Sequence, residues 1–215
     1  MRLAIFDLDG TLIDGDSHVM LLRGLLGDAA VPLRVRLEIV FGAAAWAVGL
    51  LDNTWTKAVA ARAFAGWSEA RLGARMEAFA ATRVLPRLRP KMVEEVRAAR
   101  RAGRFVVLLS ASLQPVVEIV AREVGADLAV GARLAIEDGV VTGRLAGAVP
   151  REMEKVRAIE RLATERGADL AASSSWGDAF ADRFVLARVG EPHAVTPDRR
   201  LRAYARERGW PIVER

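Results

Sequence analysis

Two aspartates one residue apart, Asp7 and Asp9, close an apolar run in "LAIFDLDGT". Farther along stand Ser110 at the end of "VVLLS", Lys155 in "REMEKVRAIERL", and Asp178 with Asp182 in "GDAFAD". A carboxylate attacks a dianionic phosphate poorly unless cations offset the repulsion. Acids accompanied by a lysine and a hydroxyl therefore suit phosphoryl transfer through an enzyme carboxylate. On that reading Asp7 attacks phosphorus and holds a metal, while Asp9 protonates the leaving alcohol and later deprotonates the hydrolytic water. Residues two apart in an extended strand face the same way, so Asp7 and Asp9 are expected to serve one phosphoryl group. Ser110 and the backbone after it, from Ala111, would bind phosphoryl oxygens, with Ser112 a rival for either task. Lys155 would offset charge on the nucleophile. Asp178 and Asp182 would complete a metal site with Asp7 and Asp9, and Gly10 and Thr11 would shape the loop against the substrate.

Taken singly, each of these residues has an ordinary structural meaning. Asp-Gly is a common turn pair, a strand-end serine often caps a helix, and a lysine on a helix usually faces water. A calcium loop counted from Asp7 fails, because its sixth position is Leu12 and its twelfth is His18, where glycine and glutamate are needed. The joint order of the residues is what carries the chemistry.

These side chains need elements to deliver them. "LAIFDLDGT" reads as a buried strand running into a glycine turn. From about Ile13 to Leu85 the pattern is helical and rich in Ala, Leu and Arg, which marks an insertion. "PKMVEEVRAARRAG" is a helix stopped by Gly103, and "RFVVLLSAS" a second buried strand. "QPVVEIVAREVG" has proline at its start and glycine at its end, as a helix does. In "ADLAVGARLAIEDGVVTGRL" a strand precedes a hairpin turning at Asp138-Gly139. A helix around Lys155, a strand into the acidic loop, a short final strand at "HAVTPD" and a last helix follow. The alternation predicts an α/β fold: a Rossmann-like parallel sheet flanked by helices, with an inserted helical cap. The expected division is a core of residues 1–12 and 87–215 and a cap of 13–86. In such sheets side chains act from the carboxyl ends of the strands, where all four candidate clusters fall.

Composition narrows the function. The 215 residues are 52% hydrophobic, which supplies a core, and the absence of cysteine removes disulfides, thiolate zinc sites and cysteine nucleophiles. With His18 and His193 the only histidines, an oxygen-liganded ion such as Mg²⁺ is the expected cofactor. The net charge of +5 comes mostly from dispersed arginines, with lysine only at 57, 91 and 155, so no nucleic-acid partner is expected. "LEIVFGAAAWAVGLL" (37–51) contains Glu38 and is shorter than a membrane span, so it reads as a buried or interfacial helix. The apolar run before Asp7 is too short for a signal peptide, and a cytoplasmic protein is expected. A homo-oligomer remains compatible with the sequence.

The set resembles the haloacid dehalogenase superfamily of phosphatases: "DLDGT" looks like its first motif, Ser110 its second, Lys155 its third and "GDAFAD" its fourth. The helical insertion, the "EDGVVTGRL" hairpin and the closing "PHAVTPDRRLRAYARERGWPIVE" resemble the phosphoserine-phosphatase-like group, subfamily IB. The resemblance implies Mg²⁺-dependent hydrolysis of a small-molecule phosphomonoester through an aspartyl-phosphate. It also implies a substrate-reading acid shortly after the first motif, a glutamate in phosphoserine phosphatases. Counting puts Asp16 at that position. The fourth motif keeps both acids but lacks the hydroxyls and proline common in relatives.

The insertion would act as a lid that excludes water and selects the leaving group. Its Trp46, Trp55, Phe64 and Trp67, with Arg34, Arg36, Arg62 and Arg71, are expected mainly in the cap core. Any that line the site would favour a bulkier, partly apolar ester. His18 is a further candidate to touch substrate. Three alternatives stay open: phosphoserine phosphatase proper, a non-catalytic ligand-binding relative of the same fold, and action on phosphorylated lipids at a membrane surface. A signalling receiver domain fits less well, since this chain lacks the adjacent acid pair such domains share.

Overall fold

The computed structural model describes residues 1–47 and 53–214. Strand β1 (Leu3–Phe6) is apolar at every position and at most 1% exposed, as a central parallel strand covered on both faces must be. Its side chains alternate between two layers. Ala4 and Phe6 join the larger core with the helices that follow β1, whereas Leu3 and Ile5 pack with Val156 and Ile159 on the opposite face.

Between β1 and the next sheet strand the chain forms α1 (Ser17–Leu26), α2 (Leu33–Ala47), α3 (Asn53–Ala63), α4 (Glu69–Phe79), a π-helical turn (Ala80–Val84) and α5 (Pro90–Arg101). Then come β2 (Phe105–Leu113), α6 (Gln114–Val124), β3 (Leu128–Ala132), the hairpin β4 (Leu134–Glu137) and β5 (Val140–Leu145), and α7 (Met153–Arg166). The chain closes with β6 (Ser174–Gly177), α8 (Arg183–Leu186), β7 (Glu191–Val195), α9 (Arg199–Glu207) and β8 (Ile212–Val213). Helix ends follow local chemistry: Asp16 caps α1 by accepting from the Val19 N–H at 2.9 Å, and Gly125 ends α6 in the left-handed conformation.

Six strands form one parallel sheet in the order β3-β2-β1-β6-β7-β8. The order reverses between β1 and β6, and at such a switch point the carboxyl ends of the strands open a crevice. Phe6, Trp176 and His193 stand in register on β1, β6 and β7. Their rings stack at 4.1 and 4.7 Å with nearly parallel planes, directly before Asp7 and close to Asp178.

The expected parallel α/β sheet is present. Two details differ from the sequence expectation, and the hairpin turns where expected. Strand β2 runs past Ser110 to Leu113, with an irregular register against β3. "HAVTPD" is not the last strand, because β8 adds an edge that two half-buried residues were too few to signal. The hairpin turns at Asp138-Gly139, both at positive φ, and seats on the insertion: Gly66 and Trp67 exchange backbone hydrogen bonds with Val141, and Glu69 bonds Gly139. Part of the apolar stretch 37–51 lies in α2, where Val35 and Ile39 are buried and Leu37, Val40 and Phe41 are exposed; residues 48–51 lie outside the described region. No helix among the described residues is long and apolar enough to cross a membrane.

Candidate active site

At the carboxyl ends of β1 and β6 the chain turns sharply. Leu8 O accepts from the Leu12 and Ile13 N–H groups, and Gly10 takes a φ of 75°. Glycine is required there twice over: a Cβ at Gly10 would lie 2.0 Å from Asp178 Oδ2, besides the positive φ. A Cβ at Gly177 would press on Asp182 in the same way, at 2.7 Å. The two glycines make room for the acids.

Lys155, in the first turn of α7, donates to Asp7 Oδ1 at 2.6 Å and to Asp182 Oδ1 at 2.7 Å. The Ala179 N–H donates to the other oxygen of Asp182 at 3.1 Å, and Thr11 Oγ1 to Asp178 Oδ1 at 3.1 Å. Asp7, Asp178 and Asp182 each bring an oxygen within 4.8 Å of the others.

Asp9 keeps different company. Its Oδ1 accepts from the Ser17 N–H at 2.6 Å, and its Oδ2 from Ser112 Oγ at 2.5 Å and Ser110 Oγ at 3.4 Å. Among the described residues the Asp9 carboxylate therefore stands outside the trio of Asp7, Asp178 and Asp182. The reason is local, since β1 ends at Phe6 and the strand alternation does not extend through the turn. Both carboxylates nevertheless line one cavity of ≈ 530 Å³. Ser110 and Ala111 line it as well. Ser112, the rival serine, is buried with its hydroxyl between Asp9 and Ser17 Oγ, 2.7 Å away.

Burial pushes the Asp7 carboxyl well above its usual range; Lys155 pulls it down, while Asp182, Asp178 and Asp9 push it up. Burial and then Asp182 push Asp178 up to about 7. Burial disfavours the Lys155 ammonium, but Asp182 and Asp7 outweigh it and keep the lysine charged. Asp9 is raised by burial and by Asp16, against the hydrogen bonds from Ser112 and Ser17. Crowded acids held above their ordinary values fit a site built around a divalent cation, and an all-oxygen donor set suits a hard ion such as Mg²⁺.

The helices of the insertion supply the other wall. Asp16, His18 and Lys57 line the cavity, joined by Arg89, Arg151 and Glu152. Lys57 of α3 is buried, and burial lowers its pKa, opposed by attraction to Asp16, Asp9 and Asp7. His18 is 7% exposed, its Nε2 lies 3.1 Å from Thr56 Oγ1, and burial, with help from Lys57, pushes it down to about 3. Phe64 and Trp67 lie in the core as expected, whereas Trp55 is half-buried; the Trp46 side chain lies outside the described residues. Sequence reasoning missed Lys57, Arg89 and Arg151. The usable signal for Lys57 was its rarity, one lysine in an insertion that otherwise uses arginine. Glu152, just before α7, adopts φ 45° and ψ −116°, a backbone conformation that costs energy and clusters at functional sites.

A sequence profile of haloacid dehalogenase-like hydrolases matches residues 4–187. A phosphoserine phosphatase of Mycobacterium tuberculosis is 30% identical over 213 residues, covering 97% of this chain and 69% of that protein. A histidinol-phosphatase of Neisseria meningitidis is 28% identical over 221 residues, covering 99% and 98%. The crystal structure of a protein of unknown function from Bordetella pertussis superposes with a TM-score of 0.88 at 28% identity, covering 99% of this chain and 97% of that one. The chain belongs to the haloacid dehalogenase-like hydrolase family, and phosphatases are among its relatives.

Proposed function

We propose that the protein is a Mg²⁺-dependent phosphomonoesterase that hydrolyses small-molecule phosphate esters through a phosphorylated Asp7. The observation that carries the reading is Lys155 bridging Asp7 and Asp182 beside Asp178, at the switch point of the sheet. Asp7 attacks phosphorus and the ester oxygen leaves with a proton from Asp9, whose raised pKa suits a donor. Asp9 then takes a proton from the water that attacks the acyl-phosphate, returning Asp7 to its carboxylate. Ser110 and the Ala111 backbone hold phosphoryl oxygens, and Lys155 offsets charge on Asp7. Asp7, Asp178 and Asp182 would hold the Mg²⁺, which when bound supplies charge neutralisation at the phosphoryl oxygens.

In this reading residues 13–86 act as a lid over the core of 1–12 and 87–215, with the β4–β5 hairpin as its seat. Phosphoserine and histidinol phosphate, the substrates that relatives' names suggest, both carry an ammonium group close to the ester, and Asp16 is the lid acid able to meet it. The test is phosphate release from phosphoserine, histidinol phosphate, sugar phosphates and p-nitrophenyl phosphate, with Mg²⁺ and with chelator. Turnover is expected with the metal alone, and Asp7→Asn should lower it about 10⁴-fold or more. Activity indifferent to that substitution would sink the mechanism.

A further inference from the structure

A second cavity of ≈ 310 Å³ lies among α1, α2 and α3. Among the described residues its walls are mostly apolar, with Val19, Leu22, Leu26, Ile39, Trp55 and Val59, and Arg23 and Thr56 add polar atoms. It shares Asp16, His18 and Lys57 with the catalytic cavity, so the two spaces meet at a collar of three polar side chains. In that collar the His18 Nδ1 is buried with no hydrogen-bond partner among the described residues. A buried nitrogen of this kind is uncommon in folded proteins. The far wall is also specially shaped: the Trp55 indole lies so close over Gly42 that a Cβ there would sit 1.6 Å from the ring.

We infer that the second cavity is the subsite for the leaving group, and that the substrate is a phosphate ester of an amphiphilic alcohol. Its polar atoms beside the ester meet the collar, and its hydrocarbon limb fills the space under Trp55. The inference rests on the phosphatase reading for the reacting end of the ligand. A small amino-acid alcohol would leave the cavity empty, whereas a hydrocarbon limb removes apolar wall from water and gains affinity with each methylene.

The test measures kcat/KM on n-alkyl phosphates from ethyl to octyl, and calorimetric affinity for the matching n-alkyl phosphonates, which cannot be hydrolysed. Both should rise about 3- to 4-fold per methylene until the cavity is full, then level off. Ala43 lines the cavity yet is exposed, so Ala43→Phe should fold while narrowing the space. Gly42→Ala should push the Trp55 ring inward to the same end. Each is expected to cut the octyl-to-ethyl ratio about 10-fold or more. Turnover without chain-length dependence would overturn the subsite and leave the phosphatase reading intact. Chain-dependent phosphonate binding without turnover would support the subsite and sink the phosphatase reading. Neither response, or an unchanged ratio in both variants, would overturn the subsite.

Discussion

The floor of the site and the wall that the helical insertion supplies, the proposed lid, both bury charge, but they differ in how their polar groups are partnered. On the floor every acid is engaged: Asp7 and Asp182 by Lys155, Asp178 by Thr11, and Asp9 by Ser17, Ser110 and Ser112. In the proposed lid Lys57 and His18 are buried at an electrostatic cost, and the His18 Nδ1 has no partner among the described residues. A floor organised in advance suits the part of the reaction that never varies, the phosphoryl group. In the proposed reading a ligand contacts these buried groups of the insertion, and selectivity resides there.

Substitutions can break this contrast. The largest effect after loss of the nucleophile is expected from Asp9→Asn, which removes the proton for the leaving alcohol. In kcat/KM, which reports the steps up to phosphoryl transfer, alkyl phosphates should lose about 10²- to 10⁴-fold, and p-nitrophenyl phosphate, whose leaving group needs little protonation, much less. Equal losses on both would reject Asp9 as the acid. Because burial and Asp16 raise its pKa, Asp9 keeps its proton to higher pH than an ordinary carboxyl. The alkaline limb of kcat/KM for alkyl phosphates should therefore disappear in Asp9→Asn.

Gly10→Ala tests the floor's geometry without touching a charge. The new methyl must displace the Asp178 carboxylate, so the Mg²⁺ concentration for half-maximal activity should rise about 10- to 100-fold. An unchanged metal requirement would show that Asp178 does not hold the ion.

His18→Gln probes the lid and has the smallest expected effect. Folded His18 is pushed down to about 3 from 6.5, so within that window the unfolded chain binds more protons and stability falls with acid. From pH 6.5 to 5 the wild type should lose ~2 kcal/mol through this group, read from urea unfolding, and His18→Gln should lose less. Equal losses would mean that His18 is not held neutral by the fold.

Much of the floor was legible because its residues sit at strand ends, where periodicity and turn chemistry fix position from local sequence. Asp7 and Asp178 follow buried strands, Ser110 lies within one near its carboxyl end, and Asp138-Gly139 announces its hairpin. The direction of the Asp9 side chain was not legible, since it depends on a turn that begins one residue after β1. Nor were Lys57 on α3 and Arg89 just before α5: which residues of these helices look into the site is set by how the helices dock, and no short-range pattern encodes that. Serine 112 shows the same limit, because its burial depends on Ser17, 95 residues away.

The ring stack of Phe6, Trp176 and His193 has a bearing on ion choice. It ties the residue before Asp7 to the strand that delivers Asp178, so the separation of those two carboxylates is gauged from behind the sheet. Small divalent cations demand tight, nearly fixed geometry, whereas larger ones accept a yielding cage. A Trp176→Leu protein, with the gauge loosened, is expected to discriminate less sharply between Mg²⁺ and Ca²⁺ while every acidic residue stays in place.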